Sequence, residues 1–87
     1  MRIIKQRVHP GMNTIQLTDA DWKLRYINDQ DGKLWGWFEV LDTTNTNPYE
    51  YEVYLALTGE EIPEGYHWVC SYQQHIAGGW FVVHAYD

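Results

Sequence analysis

Trp22-Lys23-Leu24-Arg25-Tyr26-Ile27-Asn28 and Leu34-Trp35-Gly36-Trp37-Phe38-Glu39-Val40-Leu41 flank the pair Asp31-Gly32, and this stretch decides the fold. Both runs are rich in aromatic and β-branched residues, which suit a pleated, half-buried surface. Asp-Gly is a strong hairpin signal, because the matching two-residue turn needs positive φ at both central positions. The stretch therefore predicts a β-hairpin. Working outward, residues 2–8 form a run closed by His9-Pro10-Gly11, and residues 13–17 form another. Thr18-Asp19-Ala20-Asp21 reads as one helical turn or a loop, and Asp42 to Pro48 as a polar loop, the most mobile segment expected. Residues 49–57 make a long strand closed by Thr58-Gly59, and Ile62-Pro63-Glu64-Gly65 makes a turn. A strand at 67–74 follows, and Gly78-Gly79 precedes a last one at 80–86. Helical periodicity is nearly absent. The prediction is an all-β domain over residues 1–87, of six or seven antiparallel strands in a small sheet, sandwich or barrel with little or no helix.

A chain of 87 residues buries only about 60–65% of its unfolded surface, so its core is thin. Cys70 is the one cysteine, which rules out an internal disulfide. Heavy aromatic packing or association with other chains must compensate. Five Trp and seven Tyr supply the first. Alternation points to the second. On residues 49–57, Tyr51, Val53, Leu55 and Leu57 share one face, opposite Glu50, Glu52 and Tyr54. Residues 34–41 and 80–86 are apolar on both faces instead, which favours a homo-oligomer that covers the second face.

The net charge of −6 is unevenly spread. All six Lys and Arg lie at or before Lys33, and eight of the twelve acids come after it. Cross-strand pairing of Lys23 and Arg25 with Glu50 and Glu52 is the plain structural explanation. The acids left over still set up a negative field, which suits a basic protein surface and argues against direct binding of nucleic-acid phosphates. No run approaches the ~20 apolar residues of a membrane-spanning helix. The charged, non-apolar start and the lone cysteine lead to an expectation of a reducing, cytoplasmic setting.

Catalytic and metal motifs do not emerge. Phosphate-loop, G-x-S-x-G, H-E-x-x-H and C-x-x-C patterns are missing, so neither an enzyme nor a cofactor is expected. His9, His67, His75 and His84 show no ligand spacing. Cys70, between apolar neighbours, reads as an inert core thiol. The candidate binding residues are aromatic, with one histidine: Trp35 and Trp37 share a face, as do Trp80, His84 and Tyr86. If those faces oppose each other they form a cleft able to stack a nucleotide-like ring; otherwise they make core or subunit interface. Glu50 and Glu52 are the candidate acidic contacts. Gly59 is a turn glycine or a point of close backbone approach.

Several segments together resemble a family of short uncharacterised proteins found in bacteriophages, prophages and bacteria. They are Met1-Arg2-Ile3-Ile4-Lys5, Asn13-Thr14-Ile15-Gln16-Leu17, Asp31-Gly32-Lys33-Leu34 running into Trp37, and the Thr58-Gly59 to Ile62-Pro63 turn. The ending from Gly78-Gly79-Trp80-Phe81-Val82-Val83-His84 to Tyr86-Asp87 completes the resemblance, which covers nearly the whole chain. The family's usual ending is Gly-Gly-x-Phe-Val-Trp-His, then an aromatic and an acid. Here Val83 replaces the Trp, and Glu60-Glu61 replaces a His-Pro pair, so a site built on that His would be altered. The resemblance implies a phage-related setting in the bacterial host cytoplasm, but no specific activity. In that setting it points to an inhibitor of host defence that acts by binding, either occluding a basic protein or sequestering a nucleotide-like signal as an oligomer. A structural or accessory phage protein, or an oligomeric scaffold without a specific ligand, is the alternative.

Overall fold

The computed structural model describes residues 1–43, 48–76 and 78–87, so most of the expected polar loop lies outside the described residues. Among the described residues seven strands follow one another: β1 (Arg2–Arg7), β2 (Gly11–Leu17), β3 (Ala20–Gln30), β4 (Lys33–Asp42), β5 (Tyr49–Leu57), β6 (Trp68–Ile76) and β7 (Gly79–Tyr86). They pair antiparallel in two sheets, one ordered β1-β4-β3 and the other β2-β5-β7-β6. The architecture is a sandwich and not a closed barrel. Thr18 and Asp19 form a bend and Ala20 and Asp21 already belong to β3, so no helical turn forms there.

The Asp31-Gly32 hairpin forms as its residues demand. Asp31 has φ 55° and Gly32 φ 75°, two left-handed residues that match the twist of the strands they join. The inward face of β4 carries Leu34, Gly36, Phe38 and Val40, all buried. Val53 and Leu55 of β5 and Val83 and Ala85 of β7 meet them from the other sheet. Phe38 is central: it is fully buried, tilted on Trp22 at 5.3 Å and edge-on to Tyr51 at 6.3 Å.

Two irregularities decide which side chains point outward. Register shifts between Leu24 and Tyr26 in β3, so Leu24 and Ile27 are both buried while Tyr26 turns out, 45% exposed. A second shift between Trp68 and Cys70 places Trp68 opposite Tyr86 and Cys70 opposite Ala85. Strict alternation would have put Trp68 and Cys70 on one face. The bulge sends Trp68 out and Cys70 in.

The sheets are also tied by polar bonds at the β3 edge. Tyr72 of β6 donates to Asp29, and Tyr51 of β5 accepts the Leu24 amide at 2.9 Å while donating to Asp87 at 2.6 Å. This edge corrects the expected cross-strand ion pairs. Lys23 pairs with Asp87 (2.6 Å) and Arg25 with Glu39 (2.8 Å), whereas Glu50 and Glu52 lie in the other sheet.

Candidate functional site: two outward aromatic faces

Because β4 and β7 turn alternate residues into a shared core, their remaining residues point away from each other. Trp35 and Trp37 stand on the outward face of the β1-β4-β3 sheet. Trp80, His84 and Tyr86 stand on the outward face of the β2-β5-β7-β6 sheet. The five candidates therefore do not line one cleft within a chain. They form two separate faces, back to back across the core.

On the first face the aromatic surface is covered by its own neighbours. The Lys5 ammonium sits 4.5 Å from the Trp35 ring centroid and the Arg7 guanidinium 5.6 Å from it. Lys5 reaches on to Gln30 at 2.7 Å. Tyr26 stacks on Trp37, with centroids 4.8 Å apart and planes 12° from parallel. Both tryptophans end half-buried. Sequence reading missed Lys5, Arg7 and Tyr26 as their partners, since the contacts depend on register across three strands.

On the second face two tryptophans stand open among the described residues: Trp68 is 62% exposed and Trp80 59%. His84 is held between two hydroxyls, with Nδ1 2.7 Å from Ser71 Oγ and Nε2 2.8 Å from Thr58 Oγ1. The Trp68 indole N–H donates to Ser71 Oγ at 2.9 Å. With Nε2 protonated, the bonds run in one direction, from Trp68 to Ser71 to His84 to Thr58. The network fixes the ring's orientation. No carboxylate belongs to it, so it resembles an oriented recognition group more than a triad. Among the described residues no three His, Cys, Asp or Glu side chains are grouped to hold a metal.

The acidic candidates lie beside this face. Glu50 accepts from Gln16 Nε2 at 2.7 Å and Glu52 from the Tyr66 hydroxyl at 3.0 Å. Desolvation and the Glu52 bond push the Tyr66 hydroxyl above its ordinary pKa. Gly59 has φ 93° with open space around it, the left-handed backbone of a turn glycine. Cys70 is half-buried, and burial pushes its thiol pKa up.

Charge divides by sheet. All six Lys and Arg lie on β1, β3 and β4, where six acids of the same strands and their connections balance them. The other six acids (Glu50, Glu52, Glu60, Glu61, Glu64 and Asp87) belong to the second sheet and its connections, which hold no Lys or Arg. The second sheet therefore carries the whole net charge.

A family model for a domain of unknown function, DUF7352, matches residues 1–87. The chain belongs to this family. No curated protein and no solved structure matches this DUF7352 member. Among the described residues, no helix is long and apolar enough to cross a membrane.

Proposed function

We propose that this DUF7352 protein is a non-enzymatic, phage-type binding protein that inhibits a host defence in the bacterial cytoplasm by covering a basic protein surface. The observation that carries this reading is the charge division: by formal count one sheet is neutral, and the other holds the excess of acids, with Asp87 among them paired to Lys23. Glu50 and Glu52 stand side by side on β5 with neutral hydrogen-bond partners, so their charge is free to steer a cationic surface. Trp68 and Trp80 on the same sheet add the aromatic area that anchors protein interfaces.

The second reading is capture of a nucleotide-like ligand by an oligomer. It is favoured by the outward face of β6 and β7, strands that carry no charged residue and leave Trp68 and Trp80 uncovered around the fixed His84 ring. Trp35 and Trp37 could meet Trp80, His84 and Tyr86 only across two copies.

The test is phage plating on a panel of bacterial strains, each carrying one defence system, with and without the expressed chain. Expected is restored plating on at least one strain, lost with Glu50→Gln/Glu52→Gln and kept with His84→Ala. The reverse pattern would transfer the function to ligand capture. Binding to the affected defence protein should also weaken steeply from low to physiological salt. Failure to restore plating on any strain, with open-ended assembly in light scattering, would replace inhibition by a scaffold or accessory role.

A further inference from the structure

We propose that the pocket between β1 and β2 binds a small organic phosphate, gripped by Arg7 with Lys5 beside it. The site lies at the corner where the chain passes from one sheet to the other, on residues of β2 that pair with β5, and the proposal does not depend on the docking reading.

The pocket has a volume of about 320 Å³, in the range that small ligands occupy. Gln6, Arg7 and His9 offer polar groups, and Met12 and Ile15 offer apolar wall. Its lining includes a cation and no carboxylate, in a chain of net charge −6. The corner is already rigid. Asn13 accepts from the His9 amide at 2.8 Å and donates to the His9 carbonyl at 2.8 Å, to Gly11 at 3.2 Å and to Val53 at 3.2 Å. A ligand arriving there meets a corner whose backbone is already held in place by the Asn13 bonds.

Arg7 supplies the second observation. Its Nε is buried and has no hydrogen-bond partner among the described residues, an uncommon state for a charged donor. The guanidinium rests over Trp35, a contact that gives the Nε–H no acceptor. Turning the guanidinium from the ring toward the pocket would give Nε and a terminal nitrogen one oxyanion to share, in the paired geometry that Arg favours. Lys5 over the same ring places a second positive charge nearby. Two cations suit a phosphomonoester of about −1.5 to −2 charge better than a single carboxylate.

The experiment is titration calorimetry of the full chain with AMP, inorganic phosphate and adenosine at low salt. AMP should bind more tightly than phosphate, and adenosine should not bind. Arg7→Gln should weaken AMP at least roughly tenfold, as expected for loss of a charge-assisted bond, and Arg7→Lys should fall between. Gln6→Glu places an acid at the pocket from an exposed position that the fold does not need, and it should weaken AMP similarly. Binding should change tryptophan fluorescence, and Trp35→Phe should abolish that change. Thermal unfolding confirms that each variant is folded. Three results would overturn the proposal: no binding of AMP or phosphate at millimolar concentration, adenosine binding as tightly as AMP, or wild-type affinity in both Arg7→Gln and Gln6→Glu. Phosphate binding as tight as AMP would remove the organic part of the ligand.

Discussion

The Tyr51 hydroxyl of β5 donates to the Asp87 carboxylate of its own sheet at 2.6 Å, and the pair so joined latches that sheet to the β3 edge of the other. The same oxygen accepts the Leu24 amide beside the β3 bulge, and Asp87 also receives the Lys23 ammonium. A bulge leaves backbone groups without a strand partner, and here a tyrosine takes up one of them. Tyr51→Phe removes both bonds while keeping the ring against Phe38. The expected loss is about 1–3 kcal/mol, the cost of a part-buried amide left unpaired and a carboxylate left with Lys23 alone of these two partners. Urea unfolding should show a lower midpoint with an unchanged slope.

The same tyrosine governs behaviour at high pH. Burial first, and the Asp87 bond second, raise its pKa well above the ordinary 10.0. A group raised in the folded state favours folding fully below its unfolded pKa, and loses that contribution as pH rises toward the folded value. Stability should therefore decline above about pH 10, with Tyr72 adding to the trend because its bond to Asp29 raises it too. Absorbance titration should find at least one tyrosine that ionises only with unfolding. Tyr51→Phe should flatten the alkaline decline, and an equal decline in the variant would refute the assignment.

At low pH the sign reverses. The Arg25 hydrogen bond holds the Glu39 carboxyl below its ordinary 4.5, so the pair supports folding above that value and loses its effect as pH falls through the lower folded pKa. Arg25 is exposed and Glu39 partly so, and the effect should be small. Glu39→Gln should make the acid limb of the stability profile slightly shallower in urea titrations.

Gly36 is required by packing, not by backbone freedom. A Cβ there would lie 2.8 Å from Phe38 Cε1 and 3.1 Å from Leu24 Cδ1, both in the core. Gly36→Ala should cost about 1–3 kcal/mol through overpacking, read as a lower melting temperature. A neutral result would mean that the Phe38 ring has room to shift.

Cys70 should react slowly with a thiol reagent at neutral pH. Burial raises its pKa and so lowers the thiolate fraction, and its side chain packs against the core. The rate should rise sharply in unfolding urea. Rapid modification of the folded chain would show that the β6 bulge opens.

Much of the strand pattern was legible because it depends on neighbours in sequence. Asp31-Gly32 specifies its own turn, and the alternation in Tyr51-Glu52-Val53-Tyr54-Leu55 specifies its own faces. The candidate sites were less so. Trp35 and Trp80 could be recognised as unusual, but whether their faces met depended on sheet assignment. Lys23 and Arg25 were matched to the wrong acids for the same reason. Trp68, Ser71 and Thr58 around His84, and Arg7 with its unpartnered Nε, left no local pattern to read.

The amino-acid sequence by itself determined an all-β chain, its turns and the uneven spread of charge, since these follow from φ preferences, alternation and counting. Only the tertiary structure decided that β1, β3 and β4 form a neutral sheet while β2, β5, β6 and β7 carry the net charge. It also decided, through two bulges and the sandwich, that Trp35 with Trp37 and Trp80 with His84 look in opposite directions. Pairing between distant strands is a property of the whole packed core: moving one strand by a single residue would reverse every face, and no local preference records that choice.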